Sequence, residues 1–372
     1  MKKIIVLGSG MVGRVMAADL AKDFEVTAVD VNPANLEALG SVPAKRVTAD
    51  LSDASAVREL VGGFDLVVGA VPGFMGFATL RAVLEAGRDA VDISFFPEDA
   101  LLLDELAKSK GLTAVVDCGV APGMSNMILG YHAARMSVRA FKCYVGGLPF
   151  KRDFPFEYKA PFSPADVIEE YVRPARYVEN GHIVVKPALS DTELLDFAEV
   201  GTLEAFNSDG LRSLLRTMSV PNMIEKTLRY PGHVDHIKAL QASGFLAAEP
   251  VVVGGRKVRP IDVTSAILFK QWQLREEDDE FTIMRIVVEG EEGGRPRTYE
   301  YALFDRRDRR TGFSSMARTT GFPATAAARL VLAGAFDRKG ICPPEYLGAE
   351  EKAFPSVMDH LRERGVIYRL RD

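Results

Sequence analysis

The feature that most constrains this chain lies at its start, where Ile4-Ile5-Val6-Leu7 runs directly into Gly8-Ser9-Gly10-Met11-Val12-Gly13. An unbroken apolar run ending in GxGxxG predicts a buried parallel strand, a tight turn and the first turn of a helix. Each glycine has its own task in such a unit. Gly8 permits the turn, Gly10 lets a pyrophosphate approach the backbone, and Gly13 lets the helix pack close to the strand. Met11 and Val12 open the helix, whose unpaired N–H groups favour phosphate. A second apolar run, Glu25–Asp30, ends in an acid about 20 residues on, placed to accept the ribose hydroxyls of a dinucleotide. Asp30 repels a 2′-phosphate and the following Val31, Asn32 and Pro33 supply no cation, so the expected cofactor is NAD rather than NADP.

Short β-rich runs continue at Ala44–Thr48, Leu66–Ala70, Asp89–Ile93 and Thr113–Asp117, with another at Phe141–Gly146. Helical stretches near 11–22, 54–61, 75–87, 98–110 and 122–136 separate them, the alternation of a parallel sheet with helices on both faces. Asp50 and Leu51, after the third run, are expected beside the adenine, and Ala70, Val71 and Pro72, after the fourth, beside the path to the nicotinamide. From about Gly147 the pattern turns irregular, with prolines and aromatics crowded into 147–164. Strands are expected at Arg176–Val178, His182–Val185 and Glu225–Tyr230, with helices at Leu211–Thr217 and Val234–Ala242. A long antiparallel hairpin is expected from Phe281–Glu289 and Arg297–Asp305. The Ala-rich stretch 322–335, with Pro near its start and Gly near its end, predicts a returning helix. The expected fold class is α/β: a Rossmann NAD-binding domain over 1–122, an α+β substrate-binding and dimerisation domain over 123–318, and a C-terminal segment over 319–372 packing back on the first domain.

Composition enters by exclusion. Apolar residues at 47% and charged residues at 26% rule out a disordered or collagen-like chain. With 46 basic against 51 acidic residues, a net charge of -5, nucleic acid is not an expected partner. Cys118, Cys143 and Cys342 are odd in number and far apart, which points to a reducing cytoplasm rather than to a disulfide framework. No apolar run reaches the roughly 20 residues of a membrane span. Lys2 and Lys3 ahead of the apolar run imitate a leader, but Arg14 and Asp19 interrupt the segment. His233 and His236 have HxxH spacing without a third ligand nearby, so no metal site is expected. No GxSxG elbow or P-loop occurs either.

Several segments together resemble the saccharopine dehydrogenase superfamily: AVPGFMG (70–76), DISFF (92–96), CGVAPGMSNM (118–127), GGLP (146–149), FEYKAPFSPADVIEEY (156–171), EAFNSDGLRSL (204–214), EKTLRYPGH (225–233) and TTGFPATAAARLVLAGAFDRKGICPPE (319–345). The length, RPA (173–175) and LRYPGH are most similar to its L-lysine 6-dehydrogenase branch. Ala121 stands where the GLDPG-type motif of the saccharopine reductases carries an acid, and Asp30 where the fungal reductases favour NADP. The resemblance implies oxidation at a side-chain amine: the carbon bearing the ε-amine of lysine gives hydride to NAD, and water releases ammonia from the imine. The aldehyde then cyclises onto the α-amine. The alternatives are a saccharopine or carboxynorspermidine type of C–N reductase, or a non-catalytic nucleotide sensor.

Such chemistry needs a carboxylate anchor, acceptors for the α-ammonium and a base. Arg229 is the candidate clamp, through two parallel hydrogen bonds to a carboxylate. Asn207 and Asp209 are candidate ammonium acceptors or an Asx turn, and Tyr158 is expected to line the pocket. The base is open among Lys159, His233 and Asp209. The expected partners are a small amino acid and, through the 281–305 hairpin, a second copy of the chain.

Overall fold

The computed structural model describes residues 1–371. Strands β1 (Lys3–Leu7), β2 (Glu25–Asp30), β3 (Ala44–Thr48), β4 (Leu66–Gly69), β5 (Asp89–Asp92) and β6 (Thr113–Val115) follow the six N-terminal runs, each ending within two residues of its expected end. They form one parallel sheet in the order β6-β5-β4-β1-β2-β3. After β3 the chain crosses to β4 on the other side of β1, so the sheet has a topological switch point between β1 and β4. In parallel sheets, ligands bind in the crevice beyond the strand ends at such a point.

The Phe141–Gly146 run does not join this sheet. It belongs to a longer strand, β7 (Ser137–Pro149), at the centre of a second, mixed sheet. That sheet also contains β8 (Ala175–Glu179), β9 (His182–Lys186), β10 (Glu193–Phe197), β11 (Gly201–Asn207) and β12 (Asn222–Arg229). A small separate hairpin follows, β13 (Val251–Val253) with β14 (Arg256–Val258). The long hairpin β15 (Glu280–Glu292) and β16 (Arg295–Arg306) returns to the large sheet, turning at Gly293 and Gly294, both at positive φ. β7 lies between parallel β12 and antiparallel β15. A strand with neighbours on both sides buries an apolar run whichever sheet it joins, so its composition alone did not assign it.

The C-terminal segment enters both sheets. β17 (Gly340–Cys342) pairs parallel with β6 as the seventh strand of the first sheet, and β18 (Tyr368–Arg371) pairs with Glu300–Leu303 of β16 in the second. The returning helix is Ser315–Leu332 rather than 322–335, so Pro323 lies inside it. Ser314 Oγ caps its start by accepting from Ala317 N at 3.3 Å. Residues 321–328 are all buried, and the apolar area they remove from water outweighs the one backbone bond the proline forfeits. This helix packs on the helix Met11–Leu20, where buried Asp19 pairs with Arg329 at 3.0 Å and Arg364 at 2.8 Å. No helix among the described residues is long and apolar enough to cross a membrane.

Candidate active site

A cleft of about 630 Å³ lies between the two sheets, beyond the ends of β1, β4 and β6. Its first half is built from backbone. Gly8 has φ +95°, and a Cβ there would strike the Ala70 carbonyl; a Cβ on Gly13 would strike the Gly8 carbonyl. A Cβ on Gly10 would meet nothing within 4 Å, so that side of the turn opens into the cleft. The helix beginning at Met11 has no side-chain cap, which leaves its first N–H groups to a ligand. Asp30 accepts from Ser9 N and Asn32 N at 2.8 Å and from Asn35 Nδ2 at 3.1 Å. These bonds fix its carboxylate at the end of β2 and leave acceptor capacity facing the cleft. Met11, Val12, Asp50, Leu51, Ala70, Val71 and Pro72 line the same half. The cradle fits the pyrophosphate and ribose of a nicotinamide dinucleotide.

Between the halves Asp117 lines the cleft, and Asp92 is buried beside it. Asp92, at the end of β5, is pushed up to about 7 by burial, although Ser94 N donates to it at 2.7 Å. Asp117, at positive φ, pairs with Arg212 Nε at 2.8 Å, and the Arg212 guanidinium lies over Phe95 with its carbon 4.6 Å from the ring centre.

The second half is built from side chains. Glu225, Thr227 and Arg229 alternate along β12 and all reach the cleft, because strand residues two apart share a face. Asp166, Glu169, Glu170 and Arg173 stand on one side of the helix Pro164–Val172 at spacings of three and four. Arg229 is buried and tightly held. Its Nη2 donates to Glu170 Oε2 at 2.8 Å, Nε to Tyr171 Oη at 3.1 Å and Nη1 to the Leu228 carbonyl at 2.9 Å. Its guanidinium carbon also lies 4.4 Å from the centre of the Tyr158 ring. The fork expected for a substrate carboxylate is therefore taken by Glu170 and Tyr171, and one Nη1 hydrogen stays unengaged.

The remaining candidates divide. Asp209 lines the cleft, yet its oxygens accept from Arg176 Nε at 2.9 Å and Nη2 at 2.8 Å, a bidentate pair. Asn207 lies behind the cleft wall and donates to Ser190 Oγ and Asp191 Oδ2. Tyr158 is buried beneath Arg229 rather than on the cleft surface. Lys159 points away, donating to the Gln271 carbonyl at 3.0 Å. His233 is also outside. Phe156 O can only accept, so His233 Nδ1 carries the proton at 2.8 Å and Nε2 accepts from Tyr171 O–H at 2.9 Å. Burial and nearby Arg229 hold this imidazole down to about 3, so it stays neutral and orients Tyr171. His236 Nδ1 lies 2.6 Å from the Gly232 carbonyl. No cluster of three or more metal-ligating side chains occurs among the described residues.

Residues missed by the sequence reading are Glu225, Glu170 and Arg173. Glu225 had a signal, since it is on the Arg229 face of an expected strand; Glu170 and Arg173 had none, because no helix was expected over 164–172.

Comparison with known proteins agrees with this architecture. Residues 4–115 match the saccharopine dehydrogenase NADP binding domain, and residues 119–366 match the saccharopine dehydrogenase C-terminal domain. Over 98% of this chain and 97% of the relative, it is 22% identical to saccharopine dehydrogenase [NADP(+), L-glutamate-forming] of Pyricularia oryzae. It is also 22% identical to carboxyaminopropylagmatine dehydrogenase of Synechocystis, covering 92% of each chain. Among solved structures, apo saccharopine dehydrogenase (L-Glu forming) from Saccharomyces cerevisiae superposes with a TM-score of 0.79 at 21% identity, over 100% of this chain and 99% of that one. Homospermidine synthase from Legionella pneumophila in complex with NAD gives 0.69 at 12% identity, over 100% and 91%.

Proposed function

Since the chain belongs to the saccharopine dehydrogenase family, we propose that this C–N oxidoreductase oxidises the ε-amine of L-lysine with NAD, forming the semialdehyde and ammonia. The observation that carries this reading is the charge of the substrate half of the cleft. Its arginines are already paired, Arg173 with Glu169 and Arg229 with Glu170, while Arg176 and Arg212 hold Asp209 and Asp117, which leaves Asp166 and Glu225 as the lining groups without an ion-pair partner among the described residues. Saccharopine brings three carboxylates and would need more cations than this wall offers. Lysine brings one carboxylate and two amines, and suits a wall whose unpaired groups are acids.

NAD when bound accepts the hydride. The N-terminus of the helix Met11–Leu20 would hold its pyrophosphate, and Asp30 its ribose hydroxyls. Acids rather than bases surround the Asp30 end, with Asp50 beside it, which supports NAD although the matching domain family and the Pyricularia relative carry NADP in their names. The free Nη1 hydrogen of Arg229 would anchor the α-carboxylate, while Glu170 and Tyr171 fix the guanidinium. Phe95, Phe162 and Val145 line the same cleft and exclude water from the reacting carbon.

A second reading is oxidation of a carboxylated polyamine, in line with the Synechocystis relative, because that substrate is also cation-rich with a single carboxylate. NADH absorbance separates the two with L-lysine, L-ornithine, saccharopine and carboxyaminopropylagmatine at mildly alkaline pH. Reduction of NAD with ammonia release from lysine is the expected result. Reduction by saccharopine alone overturns the proposal, and reduction by the polyamine conjugate alone selects the second reading.

A further inference from the structure

The carboxylates of the cleft are nearly all spoken for. Asp209 has Arg176, Asp117 has Arg212, Glu170 has Arg229, and Glu169 has Arg173 at 3.3 Å. Asp166 accepts from Ser163 and the Gly73 backbone, and Asp117 keeps Arg212 on Oδ2 although its Oδ1 has no donor. Glu225 is the exception, with neither an arginine partner nor a donor among the described residues. It is 5% exposed, lines the cleft at the middle of β12, and its Oε2 has no hydrogen-bond partner among the described residues. The other oxygen lies against the backbone of Gly210, where a Cβ would collide with it; the glycine leaves room for the carboxyl and nothing more. A buried acid without a donor costs a fold stability. Next to a cleft, that cost is recovered when a ligand brings the donor.

We infer that Glu225 is the residue that receives the reacting amine: its carboxylate pairs with the substrate ammonium and then takes one proton from it. In that step an N–H bond breaks and an O–H bond forms, leaving a neutral amine whose lone pair can drive hydride departure from the adjacent carbon. This rests on the reading of the protein as an amine dehydrogenase. It replaces Lys159 and His233, which lie outside the cleft, and Asp209, whose oxygens are held by Arg176.

The surroundings favour the role. Glu225 faces Glu170 from the helix Pro164–Val172, Asp209 from the loop after β11, Asp117 from the end of β6 with its partner Arg212, and the Cys143 thiol from β7. Burial first, then the neighbouring acids, push it up to about 8. Burial therefore favours its protonated form near neutrality. A substrate cation favours its ionised form, so productive binding should rise with pH through that value.

The test compares wild type, Glu225→Gln and Glu225→Asp, with NADH binding as the control for an intact cleft. Calorimetry on the NADH-loaded protein measures affinity for L-lysine and for 6-hydroxynorleucine, its analogue with a hydroxyl in place of the ε-amine. Wild type should prefer lysine by about tenfold or more, Glu225→Gln should erase the preference, and Glu225→Asp should keep part of it. In turnover, Glu225→Gln should lose about a hundredfold or more in kcat/KM together with the rising limb of the pH profile. No preference in wild type, or one retained in Glu225→Gln, overturns the assignment. Preference without lysine turnover in wild type leaves Glu225 as the ammonium acceptor and overturns the lysine dehydrogenase reading instead.

Discussion

The two halves of the cleft solve the binding problem in opposite ways. The cofactor half is made of main chain and absent side chains: Gly8, Gly10 and Gly13 leave space, and helix N–H groups supply polarity. The substrate half is made of charged side chains buried in pairs, with Arg229 enclosed by Glu170, Tyr158 and Tyr171. A backbone cradle tolerates a change of side chain around it and fails when a Cβ intrudes. A buried ionic cage fails when one partner is removed.

The contrast can be broken most forcefully at Arg229. Truncation to Ala leaves Glu170 unpaired in a buried site, and denaturant titration should show a loss of about 4 kcal/mol. In the other half, Gly13→Val drives a side chain into the Gly8 carbonyl; fluorescence titration should show dinucleotide affinity lower by about a hundredfold. Intact affinity in that variant would mean that the turn is not a close-packed cradle.

Asp92 sharpens the boundary between the halves. Its folded value, near 7, lies above that of the unfolded chain. The stability it contributes is therefore complete in acid and is lost as pH rises through about 7. Asp92→Asn should remove about 2 kcal/mol of that decline between pH 4 and 8, measured as the difference in unfolding free energy between the two proteins. Asp30→Ala combined with Val31→Arg should move the NAD to NADP preference by about tenfold in Kd. The smallest effect belongs to Lys159→Ala, expected within about twofold of wild type in kcat/KM, since Nζ is tied to the Gln271 carbonyl. A large loss there would return Lys159 to the reacting centre.

The same contrast explains what could be read from the chain. The cradle is local. Its turn, helix start and acid fall within the first 30 residues, and the physics of each is written in residue type. The cage is assembled from β12, the helix Pro164–Val172 and the loop after β11, so Arg229 was visible while its partner Glu170, 59 residues away, was not. His233 was chosen for the pKa of a free imidazole, and only its burial under Tyr171 makes it a silent, neutral acceptor. Lys159 failed for the same kind of reason, because the direction of a side chain in a proline-rich loop is set by tertiary contacts. The sheet membership of β7 was also hidden, since an apolar strand suits either sheet.

The C-terminal segment lends β17 to the first sheet and β18 to the second. In engineering terms the protein is therefore not two interchangeable cassettes in sequence order. Grafting residues 1–118 onto a foreign substrate domain would bring β6 with a bare edge and strip the helix Met11–Leu20 of its cover, so a workable transplant must also carry residues 315–342. Those residues lead on to β18 in the other sheet, which means that any exchange of cofactor specificity is better made by point changes around Asp30 than by swapping the domain.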